Sequence, residues 1–267
     1  MSDIAKKWAL ILGASSGFGK ATALELSRRG YHICGIHFDR KAMQPQVDAI
    51  IEEITGNGVE ALFFNRNAAD EKLRAKTLDE LGEHISDDEV PSRVMVVLHS
   101  LAFGTLRPFI SDDPSEIINK KHLDMTLDVM ANSLVYWVQD MFTRDLISAG
   151  THVFGMTSSG GHEVWRTYGA VSAAKAALES HVRQLAFELG RFEISVNAIR
   201  AGVTDTPALR KIPGHDDMLA RAAQKNPGGR LTRPEDIARV IADLSDGGNT
   251  WMTGNIIGVD GGEDVAG

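Results

Sequence analysis

The stretch from Trp8 to Tyr31, WALILGASSGFGKATALELSRRGY, restricts the possible folds more than any other part of the chain. Trp8 to Leu12 is a short continuous apolar run, the pattern of a strand buried on both faces of a parallel sheet. It ends at Gly13; Gly17 and Gly19 complete a G-x3-G-x-G pattern, and a helical pattern then runs to Arg28, Arg29 and Gly30. A glycine turn between strand and helix lets a pyrophosphate approach the backbone, with the first helical amides facing the anion. Gly13, Ser15, Ser16, Gly17, Phe18 and Gly19 are therefore the expected phosphate-side contacts, the two serines adding hydroxyl donors. A plain strand-to-helix turn is the alternative for the motif taken alone.

The same alternation continues. Strand-like runs recur at His32–Phe38, Glu60–Phe64, Arg93–Leu98, Thr151–Thr157, Ile194–Ile199 and Asn255–Val259, separated by helical patterns. This predicts an α/β fold: one Rossmann-type, doubly wound parallel sheet of about seven strands with helices on both faces. With 267 residues, 43% of them hydrophobic, the chain suits a single dinucleotide-binding domain over residues 1–267. A net charge of -8 argues against general nucleic-acid binding, which needs a basic footprint. One thiol, Cys34, cannot form an internal disulfide and suits core packing. No apolar run approaches the roughly 20 residues of a membrane span, and the N-terminus lacks a leader's apolar core. A soluble cytoplasmic protein with no membrane partner and no metal site is expected.

In such a sheet ligands collect beyond the carboxyl ends of the strands, so the strand tips carry the candidate residues. At the second tip, an acid favours NAD and a basic group favours the extra phosphate of NADP. His37 stands there, followed by Phe38, Asp39, Arg40 and Lys41. His37 and Arg40 lean the reading toward NADPH, while Asp39 keeps NADH open. Asn67, with Ala68, is placed either to meet the adenine edge or to make a turn. His99, Ser100 and Leu101 lie at the fourth tip. Asn132, within a long helical pattern from Leu123 to Phe142, either holds a water near the site or bonds the backbone. Ser111 or Asp113 is able to cap the turn before it. Beyond the sixth strand, Gly202 and Val203 offer backbone groups, and Thr204 and Thr206 offer hydroxyls to a diphosphate. Residues 205–227, polar and broken by Pro213 and Gly214, read as a lid over a substrate cleft.

The chemistry is expected in SSGGHEVWRTYGAVSAAK, Ser158 to Lys175, which supplies a hydroxyl, a phenol (Tyr168) and an ammonium. Tyr168 and Lys175 are two helical turns apart, so they share a face roughly 10 Å apart along the axis. Gly169, a poor helix former, places Tyr168 at or before the helix start, where it is free to lean into a cleft. The ammonium favours a phenolate and holds a hydroxyl-bearing ligand. A tyrosine capping an ordinary surface helix is the alternative. Gly190 is expected to close this helix.

With these residues placed, the chain resembles the short-chain dehydrogenase/reductase family over essentially its whole length. The glycine turn, Ser158, the Tyr–Lys pair, RAGVTDT, RPEDIA and the terminal VDGG match in order. The family's usual pair is Tyr-x3-Lys, and here Val171 holds that position. Tyr-x6-Lys is similar to the divergent enoyl-acyl-carrier-protein reductase branch, as is HSLAF at the fourth tip. FGTLRPF and DTPALRKIPG look most like its NADPH-preferring form, although Ser16 and Asp39 depart from that form's basic positions. The resemblance implies reduction of a trans-2-enoyl thioester in fatty acid synthesis, with the acyl group on an acyl carrier protein and a homotetrameric assembly. It implies that Tyr168 stabilises the enolate oxygen, that Lys175 binds the nicotinamide ribose, and that Ser158 bonds substrate or cofactor or serves only the turn. A carbonyl reductase of 3-oxoacyl thioesters or small ketones, and a non-catalytic NADP(H)-sensing binding protein, are the alternatives.

Overall fold

The computed structural model describes residues 6–86 and 92–266. Seven strands form one parallel sheet: β1 (Lys6–Leu12), β2 (His32–His37), β3 (Ala61–Asn65), β4 (Ser92–His99), β5 (His152–Ser158), β6 (Ser195–Ala201) and β7 (Ile256–Val259), in the order β3-β2-β1-β4-β5-β6-β7. Why the first apolar run is continuous is visible in β1. Trp8, Leu10 and Leu12 enter the core on one face of the sheet, and Ala9 and Ile11 enter the core on the other. A strand with period two needs apolar residues at every position only when both faces are covered.

The helices that cover those faces are α1 (Gly17–Arg28), α2 (Gln44–Gly56) and α8 (Pro234–Asp246) on the Ala9–Ile11 side, and α3 (Glu71–Ser86), α5 (Ser133–Thr143) and α6 (Gly169–Leu189) on the Trp8–Leu12 side. The charged α3 segment is half core: Leu78 and Leu81 are fully buried. Cys34 is buried too, and burial pushes its thiol up to about 12, so it serves packing.

Two expectations change. The long pattern from Leu123 to Phe142 is not one regular helix. It is α4 (Lys120–Leu127), a π turn at Asp128–Asn132, then α5. Such single π turns recur at functional sites. The Asn132 side chain meets another side chain instead of the backbone, its Oδ1 lying 2.9 Å from His181 Nε2. Asp113 caps the turn that follows it, as expected, by accepting from the Ser115 amide at 2.8 Å, and Ser111 accepts from the Asp113 amide; the N-cap of α4 itself is Asn119, which accepts from the His122 amide. Gly190 is the C-cap of α6, as expected. It keeps a right-handed φ of -56°, the chain runs on through a 3-10 turn, and Glu193 takes the left-handed position at φ 57°. A glycine permits that conformation without requiring it.

Candidate active site

Strand order reverses between β1 and β4, so a crevice opens beyond their carboxyl ends. The two tips touch there. The Ser100 amide donates to Leu12 O at 2.9 Å, and a Cβ on Gly13 would lie 2.4 Å from Ser100 O. Gly13 also has a φ of 92°, and a Cβ on Gly19 would lie 2.1 Å from Gly13 O. Both positions are glycine because the backbone there leaves no room for a side chain. Gly17 has φ 52°, with Thr206 packed against it. Ser16, the N-cap of α1, makes no side-chain capping bond, so the first-turn amides of a twelve-residue helix face outward. Ser15 and Phe18 are half-buried beside them. A bare backbone cradle under an uncapped helix start is the geometry a diphosphate requires.

At the β2 tip, His37 is buried and its Nδ1 meets Asp39 Oδ2 at 2.9 Å. The Asp39 amide donates to Asn65 Oδ1 and Asn65 Nδ2 donates back to Asp39 O, so the loop is fixed around this carboxylate. Arg40 is exposed beyond it. Asn67 makes a turn, accepting from the Ala69 amide at 3.1 Å. Ala68 is buried and its carbonyl accepts the Trp137 indole N–H. Neither projects into the main cavity.

The β4 tip divides the expected trio. Ser100 and Leu101 line the cavity. His99 does not: its ring is buried, its Nε2 meets Ser133 Oγ at 2.8 Å, and burial together with the nearby Lys175 charge holds it down at about 3. A neutral histidine tied to a serine is a structural element of the site's floor.

The β5 tip and α6 bring Ser158, Tyr168 and Lys175 to one cavity of about 680 Å³. Tyr168 is the N-cap of α6, and its ring lies against Gly160, where a Cβ would stand 2.5 Å from Tyr168 Cε1. Burial raises its phenol pKa, and Ser158 pulls it slightly back. The Ser158 hydroxyl is close enough to act on the phenol yet falls short of a formed hydrogen bond, and it is buried without a partner. Lys175 is buried, its Nζ donates to Met156 O at 2.7 Å, and burial pushes it down to about 8. Val171, four positions before Lys175, is buried and lines the same cavity.

Gly202, Val203, Thr204 and Thr206 line the cavity on the β6 side, and the expected lid carries a helix of its own, α7 (His215–Lys225). Trp165 and Arg221 meet across the cleft, the guanidinium 5.7 Å from the ring centroid. One expectation fails here. The Val203 amide is not open to a ligand, because it donates to both oxygens of Glu263 at 3.1 and 3.2 Å. Glu263 is buried and its carboxyl is held up by that burial. Nothing local in the sequence announces a contact spanning sixty positions. Among the described residues, no group of three metal-ligating side chains is present and no helix is long and apolar enough to cross a membrane.

The pieces fit a nicotinamide dinucleotide: a glycine cradle at one end of the crevice, and at the other an ammonium, a phenol and an unpartnered buried hydroxyl. Comparison with known proteins agrees. A family model described as Enoyl-(Acyl carrier protein) reductase matches residues 13–263. Versicolorin reductase 1 of Dothistroma septosporum is 27% identical, covering 96% of this chain and 95% of its own. Cyclohexanol dehydrogenase of a Rhodococcus species is 29% identical (96% and 95%), and the 3-oxoacyl-[acyl-carrier-protein] reductase of Pseudomonas aeruginosa 28% (96% of each). The crystal structure of the enoyl-[acyl-carrier-protein] reductase (NADH) from Aquifex aeolicus superposes with a TM-score of 0.83 at 20% identity, over 99% of this chain and 98% of that one. The seven-stranded parallel sheet, the glycine cradle and the full-length match together make the chain a member of the short-chain dehydrogenase/reductase family and an oxidoreductase that works with a nicotinamide cofactor.

Proposed function

We propose that the protein reduces the double bond of a trans-2-enoyl thioester, carried on an acyl carrier protein, in fatty acid synthesis. The observation that carries this reading is the place of the phenol. Val171 fills the position four before Lys175 and is core, so the phenol of the site comes from Tyr168, at the α6 N-cap and two turns from the ammonium. The bound cofactor supplies hydride to the β-carbon. Negative charge would then develop on the thioester oxygen, three bonds from the reduced carbon where a ketone's oxygen is one, and a donor aimed at that oxygen is the main catalytic need. Tyr168 supplies that donor, kept protonated by its raised pKa. Lys175 holds the nicotinamide ribose and adds positive potential. Met130, Met156 and Val171 line the cavity with apolar surface suited to an acyl chain.

For cofactor choice, the fixed Asp39 carboxylate supports NADH, ahead of the NADPH expected from His37 and Arg40. His37 is spent on orienting Asp39, and a carboxylate at this tip accepts from ribose hydroxyls and repels a 2′-phosphate. A homotetramer is proposed on the apolar face of α5 and α6, where Phe187 of α6 is 83% exposed and Phe142 of α5 lies against Phe192 with ring centroids 4.8 Å apart.

A second reading has its own support. The unpartnered Ser158 hydroxyl beside Tyr168 suits a carbonyl oxygen held by both groups, as a 3-oxoacyl or ketone reductase requires. The decay of absorbance at 340 nm with crotonyl and acetoacetyl thioesters, each with NADH and NADPH, separates the readings. The enoyl proposal expects crotonyl turnover, faster with NADH, and a loss of about 10²–10³ in kcat for Tyr168→Phe with cofactor binding retained. Turnover of the keto substrate alone overturns it.

A further inference from the structure

We propose that Glu179 is a positioning residue that keeps Lys175 in its charged, ribose-binding form, through a carboxylate fixed by Thr157 and packed beneath Gly161. Glu179 follows Lys175 by four positions on α6, so the two side chains rise from the same helical face. Their partners are consecutive residues of β5. The Met156 carbonyl accepts from Lys175 Nζ at 2.7 Å, and Thr157 Oγ1 donates to Glu179 Oε1 at 2.6 Å. Thr157 is buried, so this bond holds the carboxylate in place. The 3-10 turn Ser159–Gly161 closes over both: a Cβ on Gly161 would lie 3.1 Å from Glu179 Oε1 and 3.6 Å from Lys175 Cβ.

An ammonium buried this deeply loses hydration that a carbonyl only partly replaces, and tends to shed its proton. Burial alone drives Lys175 downward, and Glu179 is the group that opposes it. The other ionisable groups around Lys175 do not supply that charge. His99 at the β4 tip is neutral above about 3, and Tyr168 at the head of α6 is protonated. Arg200 at the β6 tip is a cation already paired with Asp264 at 3.0 Å. Asp128 stands on the π turn against α6 and is not among the residues that line the cavity with Lys175. A carboxylate bonded directly to the ammonium would compete with the ribose hydroxyls. Set one turn back and anchored to Thr157, it sustains the charge and leaves Nζ available.

The test is the pH dependence of NADH and NADPH affinity, followed by fluorescence titration of the full-length protein, alongside the pH dependence of kcat/KM. Only the kcat/KM arm rests on the reductase reading; cofactor binding reports on Lys175 without any substrate. Glu179→Gln is expected to move the alkaline limb of both profiles about one pH unit lower, close to a tenfold loss of affinity on that limb. Thr157→Val, which frees the carboxylate but keeps it, moves the limb the same way by less. Glu179→Asp restores it part of the way. Limbs that coincide with the wild type in Glu179→Gln and Thr157→Val, or a wild-type affinity that has no alkaline limb, overturn the proposal. If Glu179→Gln fails to fold, Thr157→Val and Glu179→Asp carry the same comparison. A wild type that turns over no thioester while its affinity limb still moves with Glu179 refutes the reductase reading and leaves this one standing.

Discussion

Two turns flank the crevice, and they are built on opposite principles. The turn after β1 works by omission. Gly13 and Gly19 leave backbone against backbone, and every strained φ falls on a glycine. The turn after β5 works by accumulation. Within Ser158 to Lys175 lie a buried hydroxyl without a partner, a phenol held above its ordinary range, an ammonium held below it, and a threonine, Thr167, at φ 64°. A phosphate cradle needs shape, which costs little once the residues are small. A reacting site needs polar groups kept short of satisfaction, and the rest of the fold must hold them there.

The largest expected effect comes from the turn of omission. In Gly19→Ala the new methyl overlaps a backbone carbonyl, which has no flexible end to swing aside. Overpacking of this kind costs about 1–3 kcal/mol, and the displaced cradle loses roughly tenfold to a hundredfold in dinucleotide affinity. Urea unfolding and fluorescence titration measure the two losses. Wild-type affinity in this variant would mean that the cradle is not the phosphate site.

Gly160→Ala probes the other turn and sharpens the contrast. Its methyl would meet the Tyr168 ring, a side chain that moves. Stability and cofactor affinity are expected to stay near wild type while kcat falls about a hundredfold, the scale of a reacting group displaced by an ångström. A loss of cofactor affinity as large as in Gly19→Ala would show that the two turns are not separable.

Between the turns sits His99, and it makes a prediction in pH. Its folded value is held near 3 against an ordinary 6.5. In that window the unfolded chain binds a proton that the native protein does not, so stability is present above 6.5 and is lost as pH falls toward 3. His99→Gln, able to keep the bond to Ser133, is expected to flatten this acid limb by up to a few kcal/mol in urea unfolding followed across pH. The depressed Lys175 gives a second rise at the alkaline end, between about 8 and 10.5, which should be unchanged. An unaltered acid limb would mean that His99 accepts its proton in the folded state.

How far this was legible in the sequence follows the same division. Shape leaves local traces. The apolar run of β1, the three glycines and the Tyr168–Gly169 junction each announce their geometry within a few residues, because sterics act on neighbours. The Lys175–Glu179 spacing was equally open to reading as a helical pair. Charge and polarity are settled at a distance. Whether His99 faces a ligand or Ser133, whether Val203 offers its amide or gives it to Glu263, and whether Asp39 is loose or tied to His37 depend on elements tens of positions away. The π turn is silent in the pattern of Leu123–Phe142 because that segment carries apolar residues on several sides, and these hide the rotation of about 100° that one extra residue imposes.

Thr167 carries the smallest effect and bears most directly on what the second turn is for. A β-branched residue in the left-handed region is a true outlier, costing on the order of 1–3 kcal/mol. Its hydroxyl reaches the Arg166 carbonyl at 2.6 Å, a local bond that does not remove the clash. Glycine removes the strain but adds about 0.5–1 kcal/mol of unfolded-chain freedom, so Thr167→Gly should stabilise by between about 0 and 2.5 kcal/mol. Thr167→Asn, which tolerates this conformation without the added freedom, should match or exceed it in thermal unfolding. If the strain serves to press Tyr168 toward the cavity, the glycine variant also loses several-fold in kcat while the asparagine variant loses less. Destabilisation in both variants would show that Thr167 is at ease in its position and that the second turn stores nothing.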